Sequence, residues 1–185
     1  MSLPVLLLRP ILNDFATLGP VALAFQGITI IAATGLPFFA AALPVLSRAV
    51  ASGDRRARHY APLSAIAVVL LTGLGTWIGF TYGPQLIATV LGPEFAVTGT
   101  LIGPAILVAG LVMLPTGFGP YLTVHKVVWP SAAAGLAGCA ALIVFMPLAV
   151  AQSGVLGAMY AAMGPWGLRA ALLIPLARRK GRRTR

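Results

Sequence analysis

Two arginines are the residues best suited to bind an anionic group. Arg9 and Arg169 each lie within or beside a long apolar stretch of the chain. A guanidinium donates two parallel hydrogen bonds to phosphate oxygens, so an arginine at a membrane cavity suits a phosphate-bearing headgroup. Asn13 follows Arg9 by four residues and shares its face if this stretch is helical. The alternative for Arg9 is an interfacial anchor near the start of the chain.

Arg169 and Gln26 are the other polar side chains expected at membrane depth. Arg169 precedes Arg178 by nine residues in the last apolar stretch. An arginine among lipid chains is costly and usually faces a cavity, although its stem can also carry the guanidinium towards the headgroups. Gln26 shares a stretch of more than two helical turns with Thr29 and Thr34. These three either line a polar cavity or hydrogen-bond to neighbouring helices.

No set of side chains in the sequence has the pattern of a catalytic or metal centre. The acidic residues are Asp14, Asp54 and Glu94, which form no carboxylate pair within an apolar stretch. No nucleophile lies in a recognisable pattern with a base, and no phosphate-cradling loop is present. Cys139 is the only cysteine, which excludes a zinc site built on several thiolates. We therefore predict that the chain is not an enzyme and uses neither a cofactor nor a metal.

The composition is that of an integral membrane protein. Hydrophobic residues make up 59% of the chain, charged residues 9%, and the mean hydropathy is +0.96. Soluble domains are about one quarter charged. The net charge of +10 is concentrated in the loop 48–58 and in the C-terminal residues 178–185. Basic clusters beside apolar stretches fit cytoplasmic loops and contact with anionic membrane lipids, so nucleic acid is not an expected partner.

Uncharged stretches divide the chain into candidate membrane spans. A helix needs about 20 apolar residues to cross the hydrocarbon core, and lipid cannot satisfy an open strand edge. Residues 3–18 are too short and polar to cross alone, and they predict a partial span or an interfacial helix. We predict an all-α, polytopic membrane helix bundle over 1–177, followed by a basic cytoplasmic tail over 178–185. Its five full transmembrane helices lie near 19–46, 60–87, 97–124, 129–150 and 154–177.

Glycine and proline are abundant within these spans. Gly75 and Gly79 have the spacing of close helix packing. Pro104 and Pro115 occur on one span and favour bending of that helix. Neither pattern identifies a substrate.

Basic and non-basic loops alternate along the chain. The loop 48–58, Lys126 and the tail are basic, the loop around Glu94 is acidic, and residues 152–153 are neutral. Basic loops are retained on the cytoplasmic side of a membrane. We therefore predict a multi-pass protein of the cell's inner (cytoplasmic) membrane with its C-terminus in the cytoplasm.

Three short motifs carry a resemblance to a transporter family. The first ends a helix and begins a cytoplasmic loop, the second forms a turn between two spans, and the third begins a late helix. The motifs are Leu43-Pro44-Val45-Leu46-Ser47-Arg48 followed by Gly53-Asp54, Leu91-Gly92-Pro93-Glu94-Phe95, and Gly154-Val155-Leu156-Gly157-Ala158-Met159-Tyr160-Ala161. With the predicted topology, they resemble polysaccharide flippases, the Wzx-like oligosaccharide exporters of the multidrug/oligosaccharidyl-lipid/polysaccharide superfamily. The resemblance covers nearly the whole chain.

This resemblance implies one lobe of a MATE-like, two-lobe transporter. The chain corresponds to the C-terminal lobe, beginning partway through its first helix, with Arg9 near the central cavity. Such proteins move lipid-linked oligosaccharide, carried on an isoprenoid diphosphate, across the cytoplasmic membrane by alternating access. We expect Arg9, Asn13, Gln26 and Arg169 to bind the substrate. A single lobe lacks an opposing wall, so we expect a truncated product, a separate second lobe or self-association.

Two other functions stay open. A multidrug or cation extruder of the same superfamily would use a membrane carboxylate, for which only Asp14 comes close. A non-transporting scaffold subunit of a glycan-assembly complex would use the basic loop and tail to recruit its partners.

Overall fold

The described part of the chain is helical apart from short turns. The computed structural model describes residues 15–54, 57–124 and 129–183, and no strand occurs among them. This confirms the all-α class. The elements are α1 (Phe15–Ala51), α2 (Ala57–Leu91), a 3-10 turn (Pro93–Phe95), α3 (Ala96–Thr100), α4 (Ile102–Val124) and α5 (Trp129–Arg183).

Four helical segments have the length and apolar character needed to cross a membrane. They overlap the first four predicted spans and contain 33, 30, 27 and 23 residues. Residues 155–177 are also helical, and the fifth crossing over 154–177 stays a prediction. The predicted helix over 3–18 lies outside the described residues as far as residue 14. The four segments are Gly19–Ala51, Pro62–Leu91, Thr98–Val124 and Ala132–Gly154.

α4 is the central helix of the bundle, because α1, α2 and α5 all pack against it. In the most apolar part of its segment 56% of the residues are buried, against 11% in the corresponding parts of α1 and α2. Its buried positions include several small residues, among them Gly103, Ala105 and Gly110. Small side chains let neighbouring helices approach on several sides, which suits α4 to a central position. The outer faces of α1 and α2 are left exposed and apolar.

Glycines on α2 bring that helix against α3 and α4. A Cβ atom added to Gly79 would lie 2.9 Å from the backbone N and Cα of Gly103, and one added to Gly83 would lie 2.6 Å from the carbonyl oxygen of Gly99. Gly75 faces the Ile106 side chain. The spacing of Gly75 and Gly79 therefore serves helix packing, as the sequence indicates.

The helices alternate in direction. Gly117 of α4 meets Phe39 of α1, while Gly103 of α4 meets Phe80 of α2. α1 is parallel to α4, because Gly35 contacts Met113 and Phe39 contacts Gly117. α2 is antiparallel to α4, because Gly79 lies against Gly103 whereas the earlier Gly75 lies against the later Ile106. A cluster of buried residues lies at one end of the bundle, next to the basic segments of the chain. Its buried members are Leu46, Phe118, Tyr121, Leu122 and Leu173, and Tyr60 packs against them.

The end of α1 is closed by hydrogen bonds that require a glycine. Gly53 has φ +70°, where a side chain is strained. Its N–H donates to the Val50 carbonyl at 3.2 Å, and the Asp54 N–H donates to the Ala49 carbonyl at 2.9 Å. This is the Schellman arrangement, which satisfies the last carbonyls of a helix. The Gly53-Asp54 pair is thus a helix stop.

Candidate arm groove

α5 consists of two arms that fold back on each other at Gly154. Gly154 has φ 56° and ψ −136°, a backbone conformation open in practice only to glycine. A Cβ atom added to Gly157 would collide with the carbonyl of Ala149, and one added to Gly138 would lie 3.3 Å from the Cβ of Pro165. Residues before and after Gly154 are therefore paired in antiparallel order. The first arm covers 129–153 and the second covers 155–183.

A groove of about 160 Å³ runs between the two arms, and we name it the arm groove. Of the described residues that line it, Arg169 carries the one charge, and the others are uncharged and mostly apolar. The lining residues are Ala134, Gly135, Gly138, Cys139 and Leu142 from the first arm, with Pro165, Trp166 and Arg169 from the second.

Two glycines leave space for the cation. A Cβ atom added to Gly135 would lie 4.0 Å from the Cζ of Arg169, which is ordinary van der Waals contact. Gly138, one turn further along the same arm, allows Pro165 to approach closely. Long side chains at these two positions would occupy the space between the arms. The space between the arms therefore depends on small residues at these two positions.

Arg169 lies in the groove rather than extended towards the C-terminal basic residues. Its Cζ is 5.5 Å from the ring centroid of Trp166, within the range of a cation–π interaction. Its Nε is fully buried. Since Trp166 precedes Arg169 by three residues, the guanidinium lies over the helical turn on the Gly154 side of its own Cα. The guanidinium therefore lines a groove, which fits the first of the two interpretations that the sequence leaves open.

Gln26 is the other predicted site residue that the structure describes. Gln26 is exposed on α1 and does not line the groove. The Thr29 hydroxyl donates to the Phe25 carbonyl at 3.0 Å, and the Thr34 hydroxyl donates to the Ile31 carbonyl at 2.7 Å. These two threonines thus donate their hydrogen bonds within their own helix. Membrane helices commonly satisfy a hydroxyl in this way, because the carbonyl one turn earlier is always within reach.

Arg9 and Asn13 lie outside the described residues. Within the part of the chain that the structure describes, no three histidine, cysteine or acidic side chains come together as metal ligands.

Sequence reasoning missed Trp166, Gly135 and Gly138. Trp166 could have been found, because residues three apart on a helix lie on neighbouring positions of one face. The glycine pair could not, since it lies about 30 residues earlier and meets Arg169 only after the chain reverses at Gly154. Cys139 is exposed and lines the groove as well.

No protein-family model matches the chain, and neither a curated protein nor a solved structure matches it. The flippase resemblance therefore rests on the three motifs and the topology. In the structure, each motif contains a glycine with positive φ: Gly53, Gly92 or Gly154. These motifs mark the turns of the fold and do not contain the groove cation.

Proposed function

We propose that the chain is a membrane-embedded lobe of a polysaccharide flippase. Acting with a second lobe, it moves lipid-linked oligosaccharide on an isoprenoid diphosphate from the cytoplasmic to the outer face of the membrane by alternating access. The observation that carries the proposal is Arg169, a guanidinium in a mostly apolar groove between the two arms of α5, the first of which is long enough to cross a membrane. The turn motifs and the alternation of basic loops support the same family.

The chemistry of the arm groove suits such a substrate. A diphosphate offers several anionic oxygens, and a guanidinium binds two of them in parallel. Contact with Trp166 limits the motion of the Arg169 side chain, so less conformational freedom is lost on binding. The apolar lining residues Gly138, Cys139 and Leu142 suit the isoprenoid part.

The exposed apolar faces of α1 and α2 support a partner for this lobe. Phe38 of α1 is 78% exposed and Trp77 of α2 is 61% exposed. Lipid can cover such side chains, and so can a second lobe or a second copy of this chain. Alternating access requires two bodies that rock against each other around one site, so we assign part of this surface to the partner.

Transport measured with the partner lobe present tests this proposal. A labelled polyprenyl-diphosphate sugar is supplied at the cytoplasmic face, and its appearance at the outer face is followed. We expect Arg169→Ala to lower the transport rate about tenfold or more, since a hydrogen bond to a charged group contributes about 1.5–3 kcal/mol. Arg9→Ala is tested alongside. Arg48→Gln is the control, because Arg48 is exposed and donates to the Pro44 carbonyl of its own helix.

Unchanged transport in both Arg9→Ala and Arg169→Ala, with the chain itself dispensable, would refute the flippase proposal. Two further variants separate the alternatives. Loss of drug resistance in Asp14→Asn with intact surface glycan would indicate a cation extruder. Loss of enzyme recruitment on deleting the chain from Arg178 onward would indicate a scaffold subunit.

A further inference from the structure

The depth of Arg169 has a consequence for the lipids around the protein. Arg169 precedes Arg178 by nine residues and lies opposite Gly135, which follows Trp129 by six. At 1.5 Å per residue these separations are about 13 Å and about 9 Å along the two arms. If Trp129 and Arg178 mark the membrane interface, the guanidinium lies well inside the hydrocarbon layer. A bilayer accommodates such an arginine by thinning locally and drawing headgroups and water towards it.

The arm groove lies beside an apolar surface of the kind that lipid covers. Leu136 and Ile143, next to lining residues of the first arm, are 73% and 49% exposed. Leu168 and Leu172 flank Arg169 on the second arm and are nearly half exposed. A lipid lying against the arms can therefore place its phosphate at Arg169 and one hydrocarbon chain along Gly138 and Leu142. We infer that the arm groove binds an anionic glycerophospholipid of the surrounding bilayer, with its phosphate on Arg169.

The charge of Arg169 and the abundance of phospholipid in the bilayer determine which molecule we expect in the groove. Among the described residues that line the groove, Arg169 is the only charged one, so an anionic headgroup is favoured over a zwitterionic one, whose own cation would face the guanidinium. Phospholipid is also the phosphate-bearing molecule always present around a membrane protein, which favours its binding by mass action. The basic C-terminal residues concentrate anionic lipid at the same end of the arms. This lipid site does not depend on the proposed transport.

Lipid retention by the purified full-length chain tests the inference. The protein is equilibrated in mixed micelles of equal phosphatidylglycerol and phosphatidylcholine, and native mass spectrometry counts the lipids that stay bound. We expect wild type and Arg48→Gln to retain phosphatidylglycerol in preference to phosphatidylcholine. We expect Arg169→Gln, which removes the charge, to reduce that preference about tenfold. An equal preference in Arg169→Gln and wild type would overturn the inference.

The only thiol gives a second measurement that does not alter Arg169. Cys139 lines the groove and is exposed, so alkylation with N-ethylmaleimide adds bulk there. We expect the alkylated protein to lose its preference for phosphatidylglycerol. The same protein without N-ethylmaleimide treatment should keep it. Full retention by the alkylated protein would place the bound lipid elsewhere.

Two competition experiments distinguish the possible sources of the bound phosphate. Displacement of phosphatidylglycerol by inorganic phosphate alone, or retention of added polyprenyl phosphate with no retention of phosphatidylglycerol, would overturn the choice of a bilayer phospholipid. Because these assays contain no sugar and measure no transport, their failure is separate from a failure of the flippase proposal.

Discussion

Gly73 and Gly79 belong to the same helix, α2, but differ in what lies next to them. A Cβ atom added to Gly79 would lie 2.9 Å from the backbone of Gly103, whereas one added to Gly73 would meet nothing within 4 Å. The first glycine therefore sets the distance between α2 and α4. The second has no packing role among the described residues, and as an interior glycine it weakens its helix.

We accordingly predict opposite effects of the same substitution at these two positions. Gly79→Ala forces two backbones apart and should lower the free energy of unfolding by about 1–3 kcal/mol. Gly73→Ala should leave it unchanged or raise it by up to about 1 kcal/mol, through higher helix propensity. The apparent melting temperature of the detergent-solubilised protein, followed by circular dichroism, measures both. Equal melting temperatures would show that α2 and α4 are not in close contact.

The helical hairpin of α5 is the element that creates the arm groove. Its two arms follow each other directly in the sequence, and they pair only because the chain reverses at Gly154. Gln152 and Ser153, just before the turn, are exposed there. Arg169 and Gly135 come together through this reversal, so the groove is a property of the hairpin rather than of either arm.

Changing the glycine at the turn should therefore destabilise the hairpin. Gly154→Ala places a side chain at φ 56° and ψ −136°, which costs about 1–3 kcal/mol. Gly164→Ala is the matched control on the second arm, since a Cβ atom there meets nothing within 4 Å. Thermal unfolding should show a lower melting temperature for Gly154→Ala only. The same variant should also retain less phosphatidylglycerol, and an unchanged melting temperature would contradict the turn geometry.

At the scale of the whole molecule, the two ends of the bundle differ in charge. The cluster of Leu46, Tyr121 and Leu173 lies at the end next to the basic segments. A second cluster contains Val21, Leu101 and residues on both sides of Gly154, and it forms the core towards the other end. Its buried members are Val21, Ala24, Phe25, Ile28, Leu101, Ala105, Val108, Ala109, Met146, Val150, Ala158, Met159, Ala161 and Ala162.

This polarity predicts the sidedness of two exposed serines. In a Cys139→Ala background, Ser153→Cys should react with a membrane-impermeant maleimide in intact cells. Ser52→Cys should react only after the cells are permeabilised, because basic loops stay in the cytoplasm. Both serines are exposed, so access to the reagent depends on the side of the membrane. Labelling of both in intact cells would contradict the span count, and the reverse pattern would contradict the orientation.

Sequence alone determined the properties that depend on neighbouring residues. The length of an uncharged stretch decides whether a helix can cross lipid, so helices overlapping the first four predicted spans could be foreseen. A glycine within a turn motif likewise marks a reversal, as at Gly53 and Gly154. The sequence did not decide whether Arg169 snorkels to the headgroups or lines a cavity, because both are compatible with one arginine in an apolar stretch.

Only the tertiary structure decided which faces of the helices meet. All four membrane-length helices are apolar around most of their circumference, so hydropathy does not distinguish a lipid-facing side from a buried one. Side-chain volume does distinguish them. The small residues of α4 let the other helices pack closely around it, which makes α4 the centre of the bundle. For the same reason Gly135 could be assigned to Arg169 only once the two arms were paired, since contact between distant residues depends on backbone approach rather than on polarity.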